Sequence, residues 1–152
     1  MISTRGRYAL RVLVDIAEHG NGHFVKLDEI AQRQGLSEKY LESILAALTK
    51  HGLLHGKRSS FGGYMLTKPP QEYTIGSILQ VTENTLAPVA CLKESAPPCK
   101  NRETCKTVAF WEEYFAAIND FLEKKTLADL LNGQADKAPC ACPPPVPTDL
   151  SD

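Results

Sequence analysis

Three of the chain's five cysteines lie close together in one polar, proline-broken stretch, CLKESAPPCKNRETC. They are Cys91, Cys99 and Cys105. Three thiols cannot all pair internally, and structural zinc sites prefer ligands two to four residues apart, whereas seven and five residues separate these cysteines. Thiolates also hold iron–sulfur clusters, which are larger and suit a loop with wider spacing. The stretch therefore favours an iron–sulfur site, with zinc binding and a thiol redox switch as the alternatives.

The charges around these thiols favour a negatively charged group. The cations there are Lys93, Lys100, Arg102 and Lys106, against the acids Glu94 and Glu103. Cys105 is also predicted at the start of a long helix, where the positive end of the helix dipole favours a thiolate. The local charge thus agrees with a thiolate-ligated cluster.

The composition divides the chain into two parts of opposite charge. Residues 1–70 hold 10 Lys and Arg against 6 Asp and Glu, whereas residues 71–152 hold 7 against 12 and include all five cysteines. No apolar run approaches the roughly 20 residues that span a bilayer. Asp15 and Glu18 interrupt the apolar N-terminal stretch, which is therefore not expected to be a signal peptide. We expect a cytoplasmic protein whose cysteines stay reduced.

Helical periodicity and capping residues predict three helices in the basic part, over residues 7–19, 27–34 and 38–50. Gly35 ends the second helix and Ser37 caps the third. The predicted core stripes are Leu10, Leu13, Val14 and Ala17 in the first helix and Leu41, Ile44, Leu45 and Leu48 in the third. A helix, a glycine-containing turn and a capped helix together predict a helix-turn-helix.

Two short strands, over 52–55 and 63–66, are predicted to form a hairpin around the polar tip KRSSFGG. The fold class is therefore mainly α with a small β-wing: a winged helix-turn-helix followed by a long C-terminal dimerisation helix. The predicted segments are a DNA-binding domain (1–84), a cluster-binding cysteine loop (85–105), a dimerisation helix with a short final helix (106–132) and a disordered tail (133–152).

The long helix, from near Cys105 to about Lys125, is apolar on two sides. One stripe has the spacing of a coiled-coil seam and consists of Trp111, Phe115, Ile118 and Leu122, preceded by Val108. The second consists of Phe110, Tyr114, Ala117 and Phe121. One small domain cannot cover both stripes, so a symmetric homodimer is predicted, with the coiled-coil seam assigned to dimerisation. The alternative is one wide core face within the chain.

The helix-turn-helix assigns DNA contacts to individual residues. Lys39, Glu42 and Ser43 are placed for base edges in the major groove, while Ser37 and Tyr40 are expected to touch phosphate or to pack. The predicted phosphate contacts are Thr4, Arg5, Arg7 and Lys57. Arg58 is placed to enter a minor groove, and the other predicted wing contacts are Ser59, Ser60, Gly62, Gly63 and Tyr64.

Four features follow one another along the chain: the stretch MISTRGRYALRVLVDIA, the helix-turn-helix QGLSEKYLESIL, the wing KRSSFGGYML and three cysteines before a long helix. In this order they resemble the Rrf-type winged-helix regulators, typified by IscR and NsrR. The resemblance covers roughly residues 1–131. It implies a homodimeric transcription factor, expected to repress at a palindromic operator, with an iron–sulfur cluster on Cys91, Cys99 and Cys105. Cluster state would set DNA affinity in response to iron–sulfur status, redox stress or nitric oxide.

The resemblance leaves the fourth cluster ligand open. The position that holds a histidine in IscR-like members is Val108, and Tyr8 stands where NsrR-like members can place an acid. The candidates are Glu94, Glu103, the partner's Asp15, the partner's His19, the tail thiols Cys140 and Cys142, or a small exogenous ligand. Both 2Fe–2S and 4Fe–4S clusters stay possible.

An iron–sulfur carrier or assembly factor would leave the wing and the recognition helix unexplained. A cluster-free regulator of the same family, controlled by thiol oxidation or a protein partner, is the alternative. An enzyme is not predicted, because all four histidines are segregated from the cysteines and no nucleophile–base motif is present.

Overall fold

The computed structural model describes residues 2–59, 62–83 and 85–133. Its elements in chain order are α1 (Thr4–Gly20), α2 (Leu27–Gln34), α3 (Glu38–Lys50), β1 (Leu54–Lys57), β2 (Gly63–Leu66), α4 (Ile75–Thr82), α5 (Val108–Lys124) and α6 (Leu127–Asn132). Short 3₁₀ turns lie at Pro70–Glu72 and Ala90–Leu92. This mainly helical chain with a two-stranded antiparallel wing confirms the predicted fold class. Among the described helices, none has the length and apolar character needed to cross a membrane.

The helix-turn-helix forms where the capping residues predict it. Gly35 has the left-handed backbone (φ 64°) that ends α2, and its amide bonds back to α2 carbonyls. Ser37 then caps α3 by accepting from the Tyr40 amide. The bounds of α2 and α3 therefore match the prediction.

The core lies between α1, α3 and α4. The predicted α3 stripe is confirmed, since Leu41, Ile44, Leu45 and Leu48 are fully buried. In α1 the deepest residues are Ala9, Val12, Leu13 and Ile16, whereas Leu10, Val14 and Ala17 are half-buried. The predicted α1 stripe is therefore rotated from the observed one, because α1 packs against α2, α3, α4, α6 and β2 together. Each buried aliphatic side chain contributes about 1.5–3 kcal/mol to folding.

The wing pairs Leu54 with Leu66 and Lys57 with Gly63 at its two ends. β1 begins two residues later than predicted, because Gly52 adopts a left-handed backbone (φ 73°) that ends α3 first. Val25 adds a bridge to Tyr64 through paired hydrogen bonds of 2.9 and 2.8 Å. The wing is thereby attached to the segment that enters α2.

The C-terminal helices begin at α4, which Thr74 caps by accepting from the Ser77 amide. Thr126 and Asp129 form a capping box at the start of α6. α5 begins at Val108, three residues after the predicted start, and none of its residues is fully buried. The predicted tail, with Cys140 and Cys142, lies outside the described residues.

Candidate functional site

The exposed face of α3 carries the residues predicted to reach base edges. Lys39, Glu42 and Ser43 are all exposed, on the side opposite the buried leucine stripe. The Ser43 hydroxyl donates to the Tyr40 carbonyl oxygen at 2.7 Å, so its own lone pairs remain as acceptors. This face therefore offers an ammonium donor, a carboxylate acceptor and a hydroxyl within about one turn of helix.

The basic start of α1 lies beside α3. The Arg5 guanidinium donates to the Ser43 carbonyl oxygen at 2.9 Å, which joins residues 38 positions apart. Arg7 donates to the Thr4 hydroxyl at 3.1 Å, and both side chains are exposed. The structure thus places Arg5 against the predicted recognition helix, with Thr4 and Arg7 in the same first turn of α1.

Tyr40 and Ser37 have packing and capping roles in this structure. The Tyr40 ring meets the Tyr8 ring edge-on, with ring centroids 6.0 Å apart, and the Arg11 guanidinium lies 5.2 Å from the Tyr8 ring centre. Ser37 is engaged as the α3 cap. Packing was one of the two roles expected of Tyr40, and capping of α3 was expected of Ser37.

The wing tip exposes Arg58 and Ser59, while Ser60 lies outside the described residues. Gly62 is buried, and a methyl group on its Cα would collide with the Lys57 carbonyl group and with the Ser59 amide nitrogen, 2.8 Å away. Gly63 has a φ of 144°, and a methyl group there would meet the backbone at Val25. The two glycines therefore permit close approach of the protein's own backbone, a structural role the sequence alone did not reveal.

A cationic groove of about 810 Å³ lies between the entry to α2, the end of α3 and the wing. Lys26, Lys50, Lys57 and Arg58 line it, with Asp28 as the opposing charge. The half-buried ring of Tyr64, predicted to contact DNA, forms part of its wall. Lys26 and Lys50 were not predicted as DNA contacts. The Val25–Tyr64 bridge, which no local pattern signals, brings Lys26 to the wing.

The cysteine loop joins α4 to α5 and presents its three thiols separately. Cys91 lies in a 3₁₀ turn, Cys105 lies just before α5, and all three cysteines are free and partly exposed. Within residues 2–59, 62–83 and 85–133, no three Cys, His, Asp or Glu side chains are gathered as a metal site. Three accessible thiols in one loop are suitable ligands for a thiolate-ligated cluster. In this structure, however, the three side chains are not gathered around one point.

Hydrogen bonds at the entry to α5 act on Cys105. The Thr107 hydroxyl lies 3.5 Å from the Cys105 sulfur. This contact, together with the backbone amides of Thr107 and Val108, lowers the pKa of the Cys105 thiol despite some desolvation. The direction agrees with the dipole argument, although Cys105 precedes the helix. Arg102, predicted to offset cluster charge, is paired with Glu112 of α5.

Asp15, one of the candidates for the fourth cluster ligand, is engaged by other side chains of its own chain. Its side chain is buried, and Arg33 donates two hydrogen bonds to it, from Nη2 to Oδ1 (2.6 Å) and from Nε to Oδ2 (3.0 Å). The Gln34 amide adds a third contact at 2.8 Å. These partners engage both carboxylate oxygens, so ligating a cluster would require Asp15 to give up contacts with Arg33 and Gln34. The assignment stays a prediction. His19 is exposed, with Nδ1 2.8 Å from the Asp15 carbonyl oxygen.

The residues assigned to dimerisation differ in how deeply they are buried within their own chain. Leu122 packs against the core of its own chain, while Trp111 and Phe115 are half-buried and Ile118 is exposed. The second stripe is the more open one, because Phe110 and Phe121 are 59% and 58% exposed and Tyr114 is 46% exposed. Phe110, Trp111 and Tyr114 form an aromatic cluster with ring centroids 5.0–6.4 Å apart.

A helix-turn-helix with an exposed polar recognition face, flanked by a cationic wing, defines a winged-helix DNA-binding protein. The chain belongs to the Rrf2 family of DNA-binding transcriptional regulators, since the family model described as "Rrf2: Iron-dependent Transcriptional regulator" matches residues 2–133. The predicted family is confirmed. Its named relatives are transcriptional regulators rather than enzymes, in agreement with the prediction.

Two curated relatives show the extent of the similarity. The chain is 38% identical over 130 residues to protein rrf2 of Nitratidesulfovibrio vulgaris, covering 86% of each chain. It is 33% identical over 133 residues to the HTH-type transcriptional regulator IscR of Erwinia tasmaniensis, covering 88% of this chain and 79% of the relative.

Two solved structures share the fold. The global cysteine regulator CymR of B. subtilis has a TM-score of 0.70 at 33% identity, with 88% of this chain and 97% of that one covered. IscR of T. potens has a TM-score of 0.68 at 34% identity, with 91% and 92% covered.

Proposed function

We propose that this regulator is a repressor whose operator affinity is set by an iron–sulfur cluster held by Cys91, Cys99 and Cys105. The observation that carries the proposal is the placement of three accessible thiols in the single loop between the DNA-binding part and α5. The description of the matching family as iron-dependent and the similarity to IscR proteins support it. When bound, the cluster supplies a group that responds to oxidants, nitric oxide and iron supply.

The loop's own residues prepare it for such a group. Thr107 and the backbone amides beside it favour the thiolate form of Cys105, which is the form that ligates metal. Lys93, Lys100 and Lys106 are exposed around the thiols and offset negative charge. Cluster binding requires the three thiols to converge, so the proposal includes a rearrangement of this loop between the two states.

DNA recognition is proposed for the face that combines α3, the start of α1 and the wing. Lys39, Glu42 and Ser43 would read base edges, and Arg58 would reach into a minor groove from the wing tip. Phosphates would lie along the cationic groove, which adds Lys26 and Lys50 to the predicted contacts.

We also propose a homodimer built on α5. Its exposed aromatic residues are grouped into one apolar face. Such a face indicates a contact with another protein surface, whereas apolar side chains scattered singly over a surface do not. A second copy packed on Phe110, Tyr114, Ile118 and Phe121 would bury that face and repeat the recognition helices around a two-fold axis. The operator would then be a palindrome.

A cluster-free regulator controlled by thiol oxidation is the second candidate. Two observations favour it: the hydrogen bonds that lower the pKa of Cys105 and the structural similarity to CymR. In that mechanism an oxidised Cys105, rather than a ligand, would alter the loop.

The test compares the DNA affinity of the cluster-loaded protein with that of the cluster-free protein. A duplex selected from a random pool is titrated with cluster-loaded and cluster-free protein, and fluorescence anisotropy gives both dissociation constants. The proposal expects an affinity ratio of at least about tenfold that disappears in Cys99→Ala. Equal affinities for the two forms would contradict it. A change in affinity only after peroxide treatment, with no cluster formed, would favour the second candidate.

A further inference from the structure

A carboxylate at the end of α4 is bonded to the residue that begins α1. Glu83 Oε1 accepts hydrogen bonds from the Ser3 amide (3.1 Å) and the Ser3 hydroxyl (2.7 Å). The Ser3 hydroxyl oxygen also accepts from the Gly6 amide at 3.1 Å as the α1 N-cap. Because the carboxylate orients the capping hydroxyl, it fixes where α1 begins. We call this contact the Ser3–Glu83 clamp.

Gly6 provides the space that the clamp occupies. It is buried, and a methyl group on its Cα would run into the Glu83 carboxylate and lie 3.2 Å from a Leu79 methyl carbon. The carboxylate is the far end of a flexible side chain, so a side chain at position 6 would displace it without requiring the backbone to move. Gly6 and Glu83 therefore occupy complementary positions.

One end of the clamp lies at the proposed DNA-binding surface. Ser3 directly precedes Thr4, Arg5 and Arg7, and Arg5 holds the Ser43 carbonyl of the recognition helix. The first turn of a helix moves with its N-cap. A displacement of Ser3 therefore moves the predicted phosphate contacts relative to α3.

The other end lies where the chain leaves α4 for the cysteine loop. Glu83 is the α4 C-cap: its amide donates to the Leu79 carbonyl at 2.8 Å, while its backbone is already extended. Cys91 follows eight residues later. Glu83 thus joins the folded DNA-binding part to the segment that leads into the cysteine loop.

We infer that Glu83 is a positioning residue that couples the state of the cysteine loop to the start of α1. The inference rests on the proposed function and names the contact through which that function would operate. Two sites are coupled only when a contact differs between their states, and the two hydrogen bonds to Ser3 are that contact. With the clamp formed, Thr4, Arg5 and Arg7 are held in one arrangement; with it broken, they are released.

The test uses three variants and one control in the anisotropy titration with the selected duplex. Glu83→Ala removes the clamp, and Gly6→Ala displaces it while raising helix propensity. Both are expected to reduce a tenfold affinity ratio between cluster-loaded and cluster-free protein to within about twofold, with iron and sulfide contents unchanged. Glu83→Gln, whose amide oxygen accepts the same hydrogen bonds, and Glu72→Ala, an exposed acid before α4, should keep the wild-type ratio.

A second measurement needs no cluster. Amide hydrogen exchange at Gly6 and Arg7 of cluster-free protein should increase at least about fivefold in Glu83→Ala, because the N-cap is loosened. A wild-type affinity ratio that persists in Glu83→Ala and Gly6→Ala would overturn the inference and leave the proposed function intact. A wild-type ratio of one would instead contradict the proposed function, and the coupling with it.

Discussion

Replacing Asp15 with asparagine removes the charge from a carboxylate that is only 2% exposed and that joins α1 to the end of α2. The wild-type carboxylate accepts two close bonds from Arg33, at 2.6 and 3.0 Å, and one from Gln34 at 2.8 Å. Removing one partner of a fully buried ion pair costs about 3–5 kcal/mol. The Arg33 side chain is 31% exposed and keeps part of its hydration, so we expect a loss of about 2–3 kcal/mol.

The effect should depend on pH. Burial raises the pKa of the Asp15 carboxyl, but hydrogen bonds from Arg33 and Gln34 and the Arg33 charge outweigh it, so the pKa lies below its usual value. A carboxyl whose pKa is lower in the folded state stabilises the fold at pH values above its unfolded pKa, about 3.9. That stability is lost as the pH falls through the lower, folded-state pKa. The wild type and Asp15→Asn should therefore differ most at neutral pH and converge in acid.

Urea denaturation at one fixed protein concentration, at neutral pH and through the acid range, measures this. Glu18→Gln is the matched control, since Glu18 is an exposed acid on the same helix, and it should change stability by less than about 0.5 kcal/mol. The reasoning would be refuted if Asp15→Asn stayed within about 0.5 kcal/mol of wild type, or if its deficit were the same at every pH.

Three further predictions concern the DNA surface, the dimer and the wing. The double substitution of Lys26 and Lys50 by alanine should weaken DNA binding. It should also reduce the slope of log affinity against log salt concentration by about 1.8 per bound protomer, because each phosphate contact contributes about 0.9 to that slope. An unchanged slope would show that neither lysine contacts the DNA. Phe121→Glu should shift the protein towards monomer in analytical ultracentrifugation, and an unaltered sedimentation coefficient would place the dimer contact elsewhere. Gly63→Ala should cost about 1–3 kcal/mol in urea denaturation because of its positive φ, and wild-type stability would show that the wing accommodates a side chain.

The DNA-binding part was largely predictable because local rules determine it. The ends of α2 and α3 follow from Gly35, which readily adopts a left-handed backbone, and from the capping hydroxyl of Ser37. Lys39 and Glu42 are exposed because the helical period that buries the leucines of α3 turns them outward. The start of α1 at Thr4 was missed by three residues, because the periodic apolar stripe begins later than the cap at Ser3.

The rest depends on contacts between distant residues, which no local pattern encodes. Asp15 suggested a metal ligand by its type alone, but its pairing with Arg33 depends on how α1 packs against α2. Lys26 joins the groove because its neighbour Val25 forms a backbone bridge to the wing. The Ser3–Glu83 clamp, which spans 80 residues, is likewise invisible until α1 and α4 are packed together.

The most direct test of the account is an anaerobic absorbance spectrum with iron and acid-labile sulfide counts, on the wild type and Cys99→Ala. The account predicts visible charge-transfer bands, with iron and sulfide present in the wild type and lost in the variant, while the variant keeps its fold by circular dichroism. A colourless, iron-free wild type after anaerobic reconstitution would contradict the cluster. The DNA-binding surface would then stand without it, and thiol chemistry at Cys105 would become the leading mechanism.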